Sequence, residues 1–124
     1  MRILVTGCCG FIGFHLTSAL LKNKKFKVFG IDNINSYYDL TLKENRLKKL
    51  RLQKKFSFIK LDLKKKLRVN RVFKDYKFNV VIHLAAQAGV RHSVDYPRSY
   101  LENNIDAYFN VLDASRKFNV KHFS

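Results

Sequence analysis

The run Thr6-Gly7-Cys8-Cys9-Gly10-Phe11-Ile12-Gly13 constrains this chain more than any other, because it joins two segments of different period. Before it, Ile3 to Thr6 is a short apolar run. After it, Phe11, Ile12, Leu16, Ala19 and Leu20 recur at helical spacing as far as Asn23. A strand that passes through a glycine turn into a helix opens a βαβ unit, which commits the chain to a parallel sheet with helices packed on it. The glycines have separate tasks: Gly7 allows the turn, Gly10 lets a pyrophosphate approach the backbone, and Gly13 lets helix and sheet pack closely. The helix N-terminus then offers open N–H groups and a partial positive charge to that phosphate.

Nineteen residues beyond Gly13, where a second apolar run from Phe26 ends, stands Asp32. A carboxylate there accepts hydrogen bonds from the adenosine ribose hydroxyls and repels the 2′-phosphate of NADP, so turn and acid together point to NAD. The plainer readings, a ligand-free turn and a strand-terminal acid, are weakened by the register of the two features. A third run, Phe56 to Leu61, is followed by Asp62 and Leu63, where an adenine edge would lie. A fourth, Val80 to Ile82, lacks alternation and is expected to be buried on both faces. It leads into His83-Leu84-Ala85-Ala86-Gln87-Ala88-Gly89-Val90-Arg91. Strands one and four flank the point where a doubly wound sheet reverses, so this loop faces the glycine loop across a crevice. Arg91 is either an anion-binding fork or a solvated loop residue. His83 continues an apolar strand and reads as a hydrogen-bonded core residue, not a catalytic one.

Between these runs, Leu40 to Lys55 is a surface helix with Leu40, Leu47 and Leu50 inward and lysines outward. Leu67, Val72, Phe73 and Tyr76 mark a short helix. Pro97 starts a long helix whose inner face is Leu101, Ile105, Tyr108 and Leu112. Val120 to Phe123 is a fifth strand just before Ser124. The expected fold is α/β: a doubly wound parallel sheet of the Rossmann type, as one incomplete domain over residues 1–124 that stops at its fifth strand.

With 124 residues there is room for one domain, not for a cofactor domain joined to a substrate domain. The formal charge of +16 suggests a polyanionic partner, yet residues 43–77 alone hold 15 Lys and Arg against three acids. That window lacks a nucleic-acid-binding signature and its aromatics fall at core positions, so a solvated basic face is expected and no nucleic acid. Cys8 and Cys9 are adjacent, which gives no disulfide framework, and no metal site is expected; a reducing compartment fits. No apolar run approaches the roughly 20 residues of a membrane span, and no secretory leader opens the chain. The expected location is cytoplasmic.

Four blocks in order resemble the extended short-chain dehydrogenase/reductase family, the nucleotide-sugar epimerases and dehydratases. They are Thr6 to Gly13; Gly30-Ile31-Asp32-Asn33-Ile34-Asn35-Ser36-Tyr37-Tyr38-Asp39 with Leu42-Lys43 and Arg46-Leu47; His83 to Ser93; and Tyr100, Asn104, Asn110 and Leu112. The tyrosine-rich second block and the Ala-Gln-Ala-Gly-Val-Arg run are most similar to bacterial UDP-glucuronate 4-epimerases. The resemblance implies that Gly7, Gly10, Phe11, Ile12 and Gly13 hold the pyrophosphate of NAD. It places Asp32, Asn33, Asn35 and Ser36 around the adenosine ribose, and Asp62 and Leu63 against adenine. Leu84, Ala85, Ala86 and Asn104 would line the cofactor further along. Gly89, Val90, Arg91 and Ser93 would face a UDP-sugar, UDP-glucuronate or UDP-galacturonate. It also implies a homodimer formed partly by the helix from Pro97. The chain departs from the family pattern at Ala107, His92 and Cys8-Cys9.

The implied chemistry is a 4-epimerisation through a transient 4-keto sugar, run by a Tyr and a Lys four residues apart. Tyr37, Tyr38, Tyr76, Tyr96, Tyr100 and Tyr108 are followed four places on by Thr41, Leu42, Val80, Tyr100, Asn104 and Leu112. No catalytic residue is therefore assigned within this chain, which is expected to be the inactive cofactor-binding front of a longer isomerase. A nucleotide-sugar 4,6-dehydratase or decarboxylase with the same cofactor half is the alternative.

Overall fold

The computed structural model describes residues 1–37 and 39–124; Tyr38, part of the tyrosine-rich block, lies outside the described residues. The elements run β1 (Arg2–Thr6), α1 (Phe11–Leu21), β2 (Lys27–Asp32), α2 (Leu40–Arg51), β3 (Phe56–Lys60), α3 (Lys66–Tyr76), β4 (Val80–His83), α4 (Val90–Asp95) and α5 (Pro97–Leu101). A π-helical turn (Glu102–Asp106), α6 (Ala107–Lys117) and β5 (His122–Phe123) follow. The strands form one sheet in the order β3-β2-β1-β4-β5, with every pairing parallel. This is the doubly wound arrangement expected from the sequence, and its direction reverses between β1 and β4.

Alternation along the strands assigns the two faces. Leu4, Phe29, Ile31 and Val81 pack with Val69 and Phe73 of α3 and with Ala107, Val111 and Ala114 of α6. Ile3, Val5 and Val28 face the other way, against Leu47 and Leu50 of α2 and Phe14, Leu20 and Leu21 of α1. The lysine-rich α2 and α3 thus lie on opposite faces of the sheet, so the basic window is divided between two surfaces. No helix among the described residues is long and apolar enough to cross a membrane.

Four sequence expectations change. Leu40 is exposed, and the first inward position of α2 belongs to Lys43, one helical turn before Leu47. Val80 and Ile82 are only partly buried, because the helices on their face contact β1, β2 and β3, whereas Val81 faces α6. A short helix, α4, occupies what reads in sequence as loop. The helix from Pro97 is interrupted by the π turn, and its inward residues are Ala107, Val111, Ala114 and Ser115, with Leu101, Ile105, Tyr108 and Leu112 exposed. Hydropathy selects the bulkier stripe, but an element that packs this closely on sheet and crevice must turn small side chains inward.

Replacing Val111 with Ala should therefore lower stability by about 1–3 kcal/mol, while Ile105→Ala should change it by less than about 0.5 kcal/mol. Denaturant titrations of the two variants measure this; equal losses would restore the sequence-based inner face.

Candidate functional site: a crevice at the strand reversal

The crevice is built where β1 and β4 end side by side. Thr6, fully buried, pairs with His83 across the strands. Its hydroxyl accepts from the backbone N–H of Leu84 and of Ala85, both at 3.1 Å, and lies 2.9 Å from His83 Nδ1. With both acceptor positions used, the hydroxyl donates its proton to Nδ1, which assigns a neutral imidazole. Burial pushes the His83 pKa below its ordinary value of 6.5, in the same direction. The ring also meets Tyr108 edge-on and stacks on Phe123. His83 is thus a structural residue that ties the two strand ends together.

The glycine turn is fixed by backbone contacts. Gly7 adopts φ +68°, and a Cβ there would lie 2.9 Å from the backbone of Leu84 and Ala85. A Cβ on Gly13 would collide with the carbonyl oxygen and carbon of Gly7. At Gly10 a Cβ would meet only the Gly7 oxygen, at 3.2 Å, a tight contact but with a single atom, so this position is less crowded than Gly7 or Gly13. Gly13 therefore packs the start of α1 on the turn itself. The first intrahelical bond runs from the Phe14 N–H to Gly10 O at 3.0 Å, which leaves the amides of Phe11, Ile12 and Gly13 as the open donors of the helix end.

Asp32 is buried, and each carboxylate oxygen accepts one backbone N–H: Oδ2 from Cys9 at 3.1 Å and Oδ1 from Ile34 at 2.8 Å. These bonds lock its orientation while leaving lone pairs for a further donor. The crevice, about 140 Å³ and continuous with solvent, is lined by Gly7, Gly10, Asp32, Asn33, Asn35, Asp62, Leu63, Leu84, Ala85 and Ala86. Those are ten of the residues expected from the sequence. Gly13 underlies the wall, and Phe11, Ile12 and Ser36 are exposed beside it. Asn104 serves differently: its side chain accepts from Gln87 N at 2.7 Å and donates to Gln87 O at 2.9 Å, clamping the loop from behind.

Gly89, Val90, Arg91 and Ser93 do not line this crevice. They start α4, where Val90 and Arg91 are exposed and Ser93 Oγ donates to Val90 O. Their link to it is Tyr37, a lining residue whose hydroxyl would collide with a Cβ on Gly89 and whose ring packs on His92. Gly89 itself has φ +108°, and Tyr100 donates to the carbonyls of Ala88 and Gly89.

Lining residues to which the sequence reading gave no role include Tyr37, Lys43, Gln87 and Asn103. Lys43 is buried, with Nζ donating to Asn35 Oδ1 at 2.8 Å and to its carbonyl at 3.2 Å. A lysine at an inward helical position was the available signal. Gln87 is also buried, and its Nε2 has no hydrogen-bond partner among the described residues. An orphaned donor in a crevice wall is costly unless something enters to accept from it.

A family model described as GDP-mannose 4,6-dehydratase matches residues 4–124. The chain belongs to that family. It is 45% identical over 122 residues to the Staphylococcus aureus protein CapI, covering 98% of this chain and 36% of that protein. It is 42% identical over 118 residues to UDP-glucuronate 4-epimerase of Thermodesulfobacterium geofontis, covering 95% of the chain and 36% of that enzyme. The UDP-glucuronic acid 4-epimerase of Bacillus cereus, solved with UDP-glucuronic acid and NAD, superposes with a TM-score of 0.90 at 39% identity. That match covers 99% of this chain and 38% of the solved one. The chain thus spans little more than a third of the length of these relatives, and the resemblance read from its motifs holds at the level of family.

Two predictions follow from the packing. Gly13→Ala should destabilise the fold by about 1–3 kcal/mol or more, whereas Gly10→Ala, which crowds a single atom, should cost less than about 1 kcal/mol. Similar losses for both would contradict the looser packing at Gly10. For His83 the unfolded chain takes up a proton as pH falls through about 6.5 while the folded chain resists, so its contribution to stability is present above that pH and lost below it. Thermal melts from about pH 7.5 to about pH 5 should fall more steeply for the parent than for His83→Gln; parallel curves would contradict this.

Proposed function

We propose that the chain holds NAD for a nucleotide-sugar epimerase, with UDP-glucuronate 4-epimerase as the activity of the whole enzyme. The observation that carries the cofactor reading is the alignment, in one crevice, of a lining glycine without a side chain, a helix end with free amides and a buried, oriented carboxylate at the end of β2. The residues fit such a group. Gly10 puts no side chain between the helix end and a phosphate, the Gln87 donor lacks an acceptor among the described residues, and Asp32 keeps lone pairs for ribose hydroxyls.

In this reading the amides of Phe11, Ile12 and Gly13 bind the pyrophosphate. Asp32 accepts from the ribose, with Asn33, Asn35 and Ser36 around it, and Asp62 and Leu63 flank adenine. Leu84, Ala85 and Ala86 bound the path onward, and Asn104 holds that loop in place through Gln87. NAD supplies a hydride acceptor that can return what it takes. The chain's own residues orient that acceptor and exclude NADP, because a 2′-phosphate beside the Asp32 carboxylate would place like charges together. The proton-transfer groups are not assigned to these residues, since no tyrosine here has a lysine four positions on. Gly89, Val90, Arg91 and Ser93 form the substrate side, and Arg91 offers its fork to the UDP-sugar. The exposed apolar face of Leu101, Ile105, Tyr108 and Leu112 supports a homodimer through this helix.

The substrate assignment rests on the 4-epimerases among the similar proteins and on the tyrosine-rich block whose Tyr37 meets the Gly89 loop. The family description favours a 4,6-dehydratase as second reading; UDP-galacturonate formed from UDP-glucuronate by the whole enzyme would exclude it. The division of the basic window between two faces argues against a nucleic-acid partner.

Calorimetry should show NAD binding more tightly than NADP by about tenfold or more, and Asp32→Ala should weaken NAD by about 10- to 100-fold while narrowing that preference. Equal affinity for NAD in the variant would overturn the ribose assignment.

A further inference from the structure

We propose that Cys8, Cys9 and Asp32 form a site for a soft divalent cation of the zinc type, and that this ion and the dinucleotide exclude one another. The exclusion, though not the ion site, rests on the function proposed above. The two cysteines are neighbours in sequence, yet their Sγ atoms lie 3.9 Å apart. An ion bonded to two thiolates at about 2.3 Å with tetrahedral angles sets its sulfurs about 3.8 Å apart. The pair is already spaced as such an ion requires. An Asp32 carboxylate oxygen supplies a third ligand, and the three ligand atoms lie within 4.8 Å of one another.

All three side chains are buried, so the loop holds them without large side-chain freedom. Cys8 is fixed most firmly, since its Sγ occupies the place a Cβ on Gly30 would take, beside the Phe56 ring. The Cys9 N–H donates to Asp32 Oδ2 at 3.1 Å, which joins the thiol pair to the acid. Sulfur ligands select zinc-type ions over magnesium and calcium.

The charges also balance. Each sulfur–metal bond replaces an S–H bond, so capture of the ion releases the thiol protons. Two thiolates and a carboxylate around a dication leave one negative charge. Arg46 of α2, whose Nη1 donates to Cys9 O at 3.2 Å, faces it. Asp32 on β2 and Arg46 on α2 are the charged groups beside the pair, and Gly30 and Phe56, which pack against Cys8 Sγ, do not titrate. An Asp32 oxygen engaged by a cation cannot also serve a ribose hydroxyl, and the loop pinned by that ion is the one whose glycines would receive the pyrophosphate.

The test is a titration of the purified protein with cadmium chloride, first without nucleotide, read by the near-ultraviolet thiolate-to-cadmium band. One ion per chain is expected, with the band lost in Cys8→Ala and in Cys9→Ala and the affinity of Asp32→Asn lowered by about tenfold or more. A pH-stat on the parent protein should record two protons released per ion, a measurement independent of how any variant folds. NAD should raise the apparent cadmium dissociation constant by the factor one plus the ratio of its concentration to its own dissociation constant. Absence of the band, a band retained in folded Cys9→Ala, or binding without proton release would overturn the site. Cadmium bound with no effect of saturating NAD would overturn the exclusion. A protein that binds cadmium but never NAD would support the ion site and overturn the dinucleotide reading.

Discussion

The approach of the glycine turn to the β4 exit is the contact on which the rest of the site depends. Gly7 touches the Leu84–Ala85 backbone, Thr6 accepts both of those amides, and Gly13 rests on Gly7. These are backbone contacts, so they leave no slack for a side chain to absorb. They set the β1 and β4 ends at one separation, aim the open amides of α1 into the space between, and bring Asp32 to its edge through the Cys9 N–H. Remove any of them and the crevice loses its shape before it loses a ligand-binding group.

Around that constraint the chain spends its polar residues on position. Asn104 clamps Gln87 from behind, Lys43 holds Asn35, and Arg46 holds the Cys9 carbonyl. The wall is thus stiffened by side chains that reach from two helices on opposite faces of the sheet. Where the wall does leave a donor unpaired, at Gln87 Nε2, the cost is borne at the place a ligand would relieve it.

Much of this was legible in the sequence because it depends on period and on glycine. The strand order follows from alternating apolar runs and helical patterns, and Gly7, Gly10, Gly13 and Asp32 fall where a mononucleotide-binding unit requires them. The inward face of the helix after Pro97 was not legible. Its buried side is Ala107, Val111 and Ala114, while larger residues at neighbouring positions carry the stronger hydropathy signal outward. Gln87 was hidden for the converse reason, since a polar residue at a buried position reads as surface until the cavity it faces is known, and for Lys43 the one signal was its place a helical turn before Leu47. The closeness of Cys8 and Cys9 likewise belongs to the turn, because adjacent residues on an extended strand would point apart.

The central claim is that one crevice, at the reversal between β1 and β4, receives NAD with its adenosine end at Asp32. Amide chemical shifts recorded as NAD is added to isotopically labelled protein test it most directly. The account predicts changes concentrated at Gly7 to Gly13, Asp32 to Asn35 and Leu84 to Gln87, with α3 and the outer face of α6 unmoved. Changes confined to the lysine-rich surface of α2 and α3, or none at saturating NAD, would contradict it.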